Sequence, residues 1–382
     1  MIFSYHNATA IHFGQGQIAS IKEAISADKK ILILYGGGSI KRNGVYQQTI
    51  DALQAHDWLE FSGVEANPTK ETLDKAVAIV KEQDIDFILA VGGGSVIDGA
   101  KYVAAAAHYD GDGWDILTGD YSPEVATPIG AILTLPATGS ESNTNSVITK
   151  AETQQKMAFS VPCVLPIFAV MDPDVMKSLP ERQLANGIVD AWVHVCEQYL
   201  TKPQGALVQD GYAEALLRAL HTLAQSYEQR DNDLWRSNLM WAANQALNGL
   251  IGCGVAQDWS THMIGHELTA LWHVDHARSL AIVQPSLLRN QINYKREKLE
   301  QMGQNVFNLS PGDDLAERTI DTVEAMYHTL GVATQLTEHG NDKQGAIEAV
   351  VKRLEQHGFT ALSENQSITP SEVREILSAA IA

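Results

Sequence analysis

The sequence contains little cysteine and little positive charge. Its three cysteines, Cys163, Cys196 and Cys253, are far apart and form no C-x-x-C pair, which is typical of free thiols in a reducing compartment. Lysine and arginine number 27 against 46 aspartates and glutamates, giving a formal net charge of −19 at pH 7. This excess of negative charge repels polyanions, so we expect no binding to nucleic acid or to anionic membranes.

Long hydrophobic runs are also absent. No apolar stretch approaches the roughly 18 residues that a membrane-spanning helix needs. The N-terminal residues have no basic start followed by a long apolar core, so we predict no secretory signal. These absences predict a cytoplasmic protein that acts on a small molecule, and its 382 residues are enough for two domains.

Strand and helix patterns alternate through the first half of the chain. Apolar runs at Lys30–Tyr35, Phe87–Val91 and Ile129–Leu135 are typical of strands covered on both faces. The alternation predicts βαβ units and a mainly parallel, Rossmann-like α/β sheet. From about residue 180 helical periodicity replaces it. We therefore predict an α/β domain over residues 1–180 and an all-helical domain over residues 181–382.

Glycine-rich loops follow the first two of these strands. In Gly92–Ser95 the glycines let the backbone approach a pyrophosphate, and the helix start favours its charge. A plain turn needs one glycine, so three favour phosphate binding. The similar loop Gly36–Ser39 is followed by no acid before Val45 but by Lys41 and Arg42. Because an acid there binds ribose hydroxyls and a cation favours a 2′-phosphate, we predict NADP rather than NAD. A solvated charge pair is the alternative.

A third loop, Leu135–Ser142, is rich in hydroxyls and follows the third strand. Ligands bind at the carboxyl ends of strands in open α/β sheets, so we expect the three loops to line one cleft. A hydroxyl-rich surface loop is the alternative. Asp98, in the first turn after the second loop, would point toward the rest of the cofactor. Gly14–Ala19 formally matches G-x-G-x-x-A, but its preceding strand is short and we interpret it as a turn.

Metal-ligand residues cluster in two helical segments of the second half. His262 and His266 are four residues apart, so a helix stacks them on one face, and His276 follows a predicted helix end. Asp190 and His194 are also four apart, in an apolar helix where a lone carboxylate is costly to bury. Asp190, His194, His262 and His276 are therefore a candidate set of one carboxylate and three imidazole ligands.

Other residues compete with this set. Glu197, one turn beyond His194, is the second choice for the oxygen ligand. His266-Glu267 begins like H-E-x-x-H, but position 270 is alanine, which excludes a zincin helix. Any single histidine is more often an ordinary surface or core residue, so the prediction rests on the cluster.

The order of these motifs resembles the iron-containing (group III) alcohol dehydrogenase family. GGGS, GGGS-x-x-D, LPATGSES, D-x-x-x-H and H-x-x-x-H-x9-H follow one another along essentially the whole chain. Phrases such as YGGGSIK and NGIVDAWVHVCEQY are most similar to its NADPH-dependent bacterial aldehyde reductase and butanol dehydrogenase branch. The resemblance implies a dehydroquinate synthase-like fold, a homodimer, and NADP(H)-linked interconversion of small aldehydes and primary alcohols.

The resemblance also implies a role for each site residue. Asp190, His194, His262 and His276 would ligate Fe(II) or Zn, and His266 would be a non-ligating histidine near the nicotinamide and substrate. Either His266 or water would then deliver the proton that the reaction needs. His273 has no clear role. The implied cofactor-binding residues are Gly37, Gly38, Ser39, Lys41, Asn67, Gly93, Gly94, Ser95, Asp98, Thr138, Ser140, Ser142 and Lys156.

Three alternative functions are compatible with part of these observations. A metal-dependent hydrolase would use the Asp/His site but would leave both glycine loops unexplained. A polyol dehydrogenase of the same fold would differ only in its substrate, for example glycerol. A non-catalytic dinucleotide sensor would need no metal ligands.

Overall fold

The structure, a computed structural model, describes residues 2–337 and 342–382. Contacts group the chain into two compact units. The sheet unit comprises His6–Pro180 and Asp231–Asn244, and the helical unit comprises Glu181–Arg230 and Gln245–Ala382 together with the N-terminal residues up to Tyr5. A short segment from the second half of the sequence thus belongs with the sheet.

The strands lie in one six-stranded sheet and one two-stranded hairpin. They are β1 (Ala10–Phe13), β2 (Lys30–Tyr35), β3 (Asp57–Phe61), β4 (Phe87–Gly92), β5 (Ile129–Leu133), β6 (Asn145–Lys150), β7 (Gln155–Ser160) and β8 (Phe168–Met171). The six-stranded sheet has the order β1-β8-β5-β4-β2-β3, and its pairings are parallel. The predicted parallel α/β sheet is therefore confirmed.

The helices of the first part are α1 (Ile21–Ala24), α2 (Ser39–Arg42), α3 (Val45–Ala52), α4 (Lys70–Glu82), α5 (Gly94–Ala106) and α6 (Trp114–Thr118). Those that follow are α7 (Glu181–Tyr199), α8 (Leu207–Gln225), α9 (Asp233–Ala246), α10 (Ser260–Trp272), α11 (His276–Asn290), α12 (Ile292–Asn305), α13 (Leu315–Thr329), α14 (Lys343–Gln356) and α15 (Pro370–Ala380). In the described ranges, no helix is both long enough and apolar enough to cross a membrane.

The central strands bury every residue because helices cover both faces of the sheet. Each residue of β4 and β5 is buried, and both strands are built mainly from valine, isoleucine, leucine and alanine. Continuous burial produces an apolar run without alternation, which is the pattern that the sequence carries. The β6–β7 hairpin is antiparallel and only partly buried, so its apolar signal is weaker.

Helix α7 is the core helix of the helical unit. Each residue from Leu184 to Tyr199 is buried, including Asp190, His194 and Glu197. A helix that is buried all round has no polar face, and its polar side chains must therefore find partners inside the protein. Near the C-terminal end of the sequence, Thr369 and Glu372 form a capping box at the start of α15, with Pro370 in its first turn.

Candidate functional site

Three buried side chains of the helical unit converge on one point. Asp190 and His194 lie on consecutive turns of α7, and His262 lies in the first turn of α10. One ligand atom from each of the three lies within 4.8 Å of the others. Asp190 is 2% exposed, and its Oδ1 accepts no hydrogen bond from the described residues. A buried carboxylate oxygen with this little compensation needs a cationic partner.

The spacing of these donors fits a divalent metal ion. Nε2 of His262 lies 3.1 Å from Nε2 of His194, and Oδ1 of Asp190 lies 3.5 Å from Nε2 of His276. Two ligands bound at about 2.0–2.1 Å to one tetrahedral ion are roughly 3.3 Å apart. Both separations are therefore close to an edge of such a coordination sphere. Asp190, His194 and His262 form a group that could hold a metal, and His276, which lies outside this group of three, stays a predicted fourth ligand beside Asp190.

His276 is positioned by the start of its helix. It is the first residue of α11, directly after Asp275, whose Oδ2 accepts hydrogen bonds from Nε of Arg182 at 2.7 Å and Nδ2 of Asn186 at 3.0 Å. Burial raises the pKa of Asp275, but the hydrogen bonds from Arg182 and Asn186 and the nearby positive charges of Arg182 and Arg278 together outweigh it, so the net shift is downward. Asp275 thus stays ionised and ties the start of α11 to α7, which brings His276 beside Asp190.

His266 lies next to this cluster but outside the group of converging donors. Its ring centroid is 6.0 Å from that of His262 and 5.2 Å from that of His276. His266 is half-buried, so its imidazole is accessible to water. His273 is exposed and ends α10 in a left-handed conformation with φ 55°. The structure gives His273 a role at the helix end and none beside the cluster.

Glu197 was the second choice for the oxygen ligand, and the structure gives it a different position. Its Oε2 contacts Nδ1 of His262, on the side of the ring opposite to His194. Its Oε1 accepts hydrogen bonds from the backbone N–H of Thr261 at 2.7 Å and of His262 at 3.3 Å. Burial raises the pKa of Glu197, and the nearby charge of Asp258 adds to this shift. Glu197 therefore lies behind His262, a predicted metal ligand.

The three predicted loops follow adjacent strands at one edge of the sheet. Tyr35 pairs with Val91, and Gly92 pairs with Leu133, so β2, β4 and β5 end at the same level. The loop after β4 leads directly into the N-terminus of α5. This edge therefore combines backbone amides at a helix start with a hydroxyl-rich loop, as expected for an anion-binding site.

Glycine is present at different positions of these loops for different physical reasons. A Cβ at Gly92 would lie 2.5 Å from Val96, and one at Gly94 would lie 2.4 Å from Oγ1 of Thr138. Packing within the protein thus requires glycine at two of the three positions in this loop, Gly92 and Gly94. The presence of three glycines therefore does not by itself indicate phosphate binding. Gly37, in contrast, has no positive φ, and a Cβ there would meet nothing within 4 Å. Close approach of a ligand is a physical reason for glycine at that position.

Asp98 is half-buried, and both of its carboxylate oxygens accept hydrogen bonds from the protein. Its Oδ1 accepts a hydrogen bond from Oγ of Ser140 at 2.5 Å, and its Oδ2 accepts one from the backbone N–H of Val147 at 3.0 Å. Nζ of Lys101 donates to the same Ser140 hydroxyl at 2.7 Å. Asp98 and Ser140 thus fix the third loop on α5. The predicted contact of Asp98 with the cofactor stays a prediction.

Other predicted cofactor residues come together in pairs. Nζ of Lys156, on β7, donates to Oδ1 of Asn67 at 3.2 Å. Ser95 donates to the backbone carbonyl of Ala66, next to Asn67. Oγ of Ser142 accepts a hydrogen bond from Nδ2 of Asn244 at 2.7 Å, which links the third loop to α9.

An acid that sequence reasoning missed lies beside the first loop. Nζ of Lys41 is 3.3 Å from Oε1 of Glu60, which is near the end of the neighbouring strand β3. The hydroxyl of Tyr46 donates to Oε2 of Glu60 at 2.7 Å. Glu60 follows Tyr35 by many residues in the chain, and only the pairing of β3 with β2 places it here. This pairing is the signal that would have revealed it.

The segment Gly14–Ala19, which formally matches G-x-G-x-x-A, forms a turn. Its backbone N–H groups donate hydrogen bonds to other groups of the protein. The backbone N–H of Gly16 donates to Oδ2 of Asp172 at 2.8 Å, and that of Gly14 donates to the carbonyl of Met171 at 3.0 Å. Gln17–Ser20 continues as a short 3-10 helix. A turn was the predicted interpretation of this segment.

Comparisons with known proteins cover the chain almost completely. The family model described as iron-containing alcohol dehydrogenase matches residues 8–173, and the model of the C-terminal part of the Fe-containing alcohol dehydrogenase family matches residues 184–381. The chain is 49% identical to the NADPH-dependent aldehyde reductase YqhD of Escherichia coli (strain K12), over 99% of both chains. It is 37% identical to the probable NADH-dependent butanol dehydrogenase 1 of Bacillus subtilis (strain 168), again over 99% of both. A crystal structure of E. coli K-12 YqhD superposes with a TM-score of 0.96, covering 99% of this chain and 98% of that chain.

Proposed function

The chain belongs to the iron-containing alcohol dehydrogenase family, and we propose that it is an NADPH-linked, metal-dependent aldehyde reductase. The reaction moves a hydride between nicotinamide and a small aldehyde or primary alcohol. The observation that carries this proposal is the convergence of buried Asp190, His194 and His262 on one point. Such a donor set accepts Fe(II) or Zn. A polyol dehydrogenase with the same two sites is the alternative.

The metal and the cofactor supply one part of the chemistry, and the side chains of the protein supply the other. A divalent ion supplies Lewis acidity toward a carbonyl oxygen, and NADPH supplies the hydride. Asp190, His194, His262 and His276 would hold the ion. His266 lies beside them and is half-buried, so it can exchange a proton with water and deliver it toward the reacting oxygen.

An activity measurement tests this function directly. Adding a small aldehyde to metal-replete protein with NADPH should oxidise the NADPH, which is followed by loss of the reduced-nicotinamide absorbance. A metal-dependent hydrolase would leave NADPH unchanged. A dinucleotide sensor would bind NADPH and give no turnover with any aldehyde or alcohol in the screen.

The cofactor preference rests on the loop after β2. The two relatives described above are named for different cofactors, so family membership alone does not decide between NADPH and NADH. The loop Gly36–Arg42 contains no acid and contains two cations. Glu60 lies beside Lys41, however, and a 2′-phosphate would have to draw Lys41 away from it. We propose that NADPH is preferred because Lys41 and Arg42 outnumber Glu60 at this strand end.

We expect Lys41→Ala to narrow the preference for NADPH about tenfold, mainly through a higher KM for NADPH. The 2′-phosphate is remote from the transferred hydride, so its contacts should stabilise the ground and transition states alike. Glu60→Gln should act in the opposite direction, because it removes the acid that competes for Lys41. Steady-state kinetics with both cofactors measure these effects, and Lys22→Ala, on the exposed side of α1, is the matched control.

Equal kcat/KM values for the two cofactors in the unmodified enzyme would contradict this assignment. Gly36→Asp is a poor test of the same idea. A Cβ at Gly36 would lie 3.1 Å from the carbonyl oxygen of Val64, so that variant combines a charge change with a steric one.

We further propose that the enzyme is a homodimer. Within the described residues, β1 is an edge strand that pairs only with β8. Two aromatic side chains are exposed here, Phe13 at the end of β1 at 38% and Trp241 on α9 at 44%, and their rings are 5.7 Å apart. An open edge with apolar side chains favours pairing with a second copy. Sedimentation should give twice the chain mass, and Phe13→Lys should shift it toward the monomer. A monomeric parent would exclude the dimer.

The proposal also assigns a separate role to each half of the chain. We assign nucleotide binding to residues 1–180 and metal binding and catalysis to residues 181–382. The two family models meet between residues 173 and 184, which supports a boundary near residue 180. The three cysteines are unpaired, which supports a cytoplasmic location.

A further inference from the structure

A buried carboxylate that holds no ligand position contacts the ring of a predicted metal ligand. Glu197 is 5% exposed and lies three residues after His194 on α7. One of its oxygens contacts Nδ1 of His262, and the other accepts hydrogen bonds from the first amides of α10. Its carboxylate therefore joins a ligand-bearing helix to the side chain of a ligand on another helix.

The contact determines which nitrogen of His262 carries the proton. Nδ1 of His262 faces Oε2 of Glu197 and its Nε2 faces His194, so a ring that binds a metal through Nε2 carries its proton on Nδ1 and donates it to Glu197. The neutral ring then has its lone pair on Nε2, the atom that lies 3.1 Å from Nε2 of His194. A metal needs this lone pair, and a carboxylate behind a histidine ligand both orients the ring and raises its basicity.

We propose that Glu197 is a positioning residue that fixes the tautomer and orientation of His262 and thereby sets the metal affinity of the site. This inference rests on the proposed metal-dependent function and adds a residue to it. Glu197 contacts neither substrate nor cofactor in this role. It acts only through His262.

The side chain of Glu197 can be changed without disrupting α10. The start of that helix is held a second time by Asp258, whose Oδ1 accepts a hydrogen bond from the backbone N–H of Ser260 at 2.9 Å. Oδ2 of Asp258 lies 2.7 Å from Nζ of Lys295, and both side chains are buried. The backbone N–H of Asp258 also donates to the main-chain carbonyl of Glu197, at 2.7 Å. These contacts do not depend on the Glu197 side chain.

Glu197→Gln is the decisive variant, because glutamine retains the shape but replaces one acceptor oxygen with a donor. Its carbonyl can still accept from Thr261, and its NH₂ group then faces Nδ1 of His262. That nitrogen must become the acceptor, which moves the proton to Nε2 and blocks the lone pair. We expect Zn²⁺ affinity to fall by about 10–100-fold, measured by competition with a chromophoric chelator. Circular dichroism should be unchanged.

Glu214→Gln is the matched control, since it makes the same chemical change at another buried carboxylate of the helical unit. Oε1 of Glu214 accepts hydrogen bonds from the hydroxyl of Tyr199 at 2.9 Å and from Nε2 of Gln301 at 2.7 Å. We expect this variant to bind Zn²⁺ as the parent does. Unchanged affinity in Glu197→Gln, or an equal loss in both variants, would overturn the proposal.

The tautomer itself can be observed in the parent protein. ¹⁵N NMR of histidine-labelled, metal-free enzyme should show His262 with a protonated Nδ1 and an unprotonated Nε2, and the reverse in Glu197→Gln. A proton on Nε2 in the parent would overturn the proposal even if the variant failed to fold. A parent that binds Zn²⁺ normally but reduces no aldehyde would instead contradict the proposed function, because metal affinity and tautomer are measured without substrate.

Discussion

Asp190→Ala and His262→Ala should each abolish metal binding and almost all activity while leaving the fold in place. Both side chains are buried, and Oδ1 of Asp190 accepts no hydrogen bond from the described residues, so each is placed to serve an ion. Lewis-acid stabilisation is worth several kcal/mol, which corresponds to a rate loss on the order of 10³-fold. Metal content by mass spectrometry, kcat/KM and circular dichroism measure the three parts of this expectation.

A histidine elsewhere in the helical unit provides the control for these variants. His221 on α8 is partly buried and contacts the ring of Phe307, with ring centroids 4.9 Å apart. His221→Ala removes a partly buried imidazole without touching the converging donors. It should retain metal and turnover. Stoichiometric metal together with normal turnover in either Asp190→Ala or His262→Ala would show that the ligand assignment is wrong.

His266→Ala should retain the metal and lose rate. The ring of His266 is close to those of His262 and His276 but outside the group of converging donors. Proton transfer by a positioned side chain typically contributes about 10²–10⁴-fold, so we expect kcat to fall within that range. Metal content and kcat on the same preparations distinguish this role from ligation.

The neighbouring His273 offers a control on the same helix. It is exposed and has φ 55°, a conformation that asparagine tolerates better than alanine, so His273→Asn is preferable to alanine there. This variant should leave both metal and rate unchanged. Loss of metal in His266→Ala would make His266 a ligand and would remove either His276 or Asp190 from the set.

The parts of the fold with strong local patterns could be predicted from the sequence. Lys30–Tyr35 was predicted with its observed bounds, because a buried parallel strand leaves a continuous apolar run. The capping box at Thr369 can be recognised in the sequence because it is complete within four consecutive residues. The hairpin of β6 and β7 was missed, since Gln155–Ser160 is only partly buried and has no clear apolar run.

The candidate site also has some features that could be predicted from the sequence and others that could not. The i, i+4 spacing on one helix predicts that Asp190 and His194 share a face, and the structure brings them together. The direction of Glu197 depends on a second helix, because its partners are Thr261 and His262. No spacing along one helix contains that information. The same reason explains why the approach of Glu60 to Lys41 was missed.

The position of β1 has a consequence for synthesis of the chain on the ribosome. β1 pairs with β8, and beside this pair the hydroxyl of Thr9 donates to the carbonyl of Pro166, 157 residues further on. At about 5–20 residues per second, translation takes roughly 8–30 s to cover that distance. During this interval the first strand has emerged and its partner does not yet exist. Its backbone groups and the side chain of Phe13 are then available to chaperones or to other nascent chains.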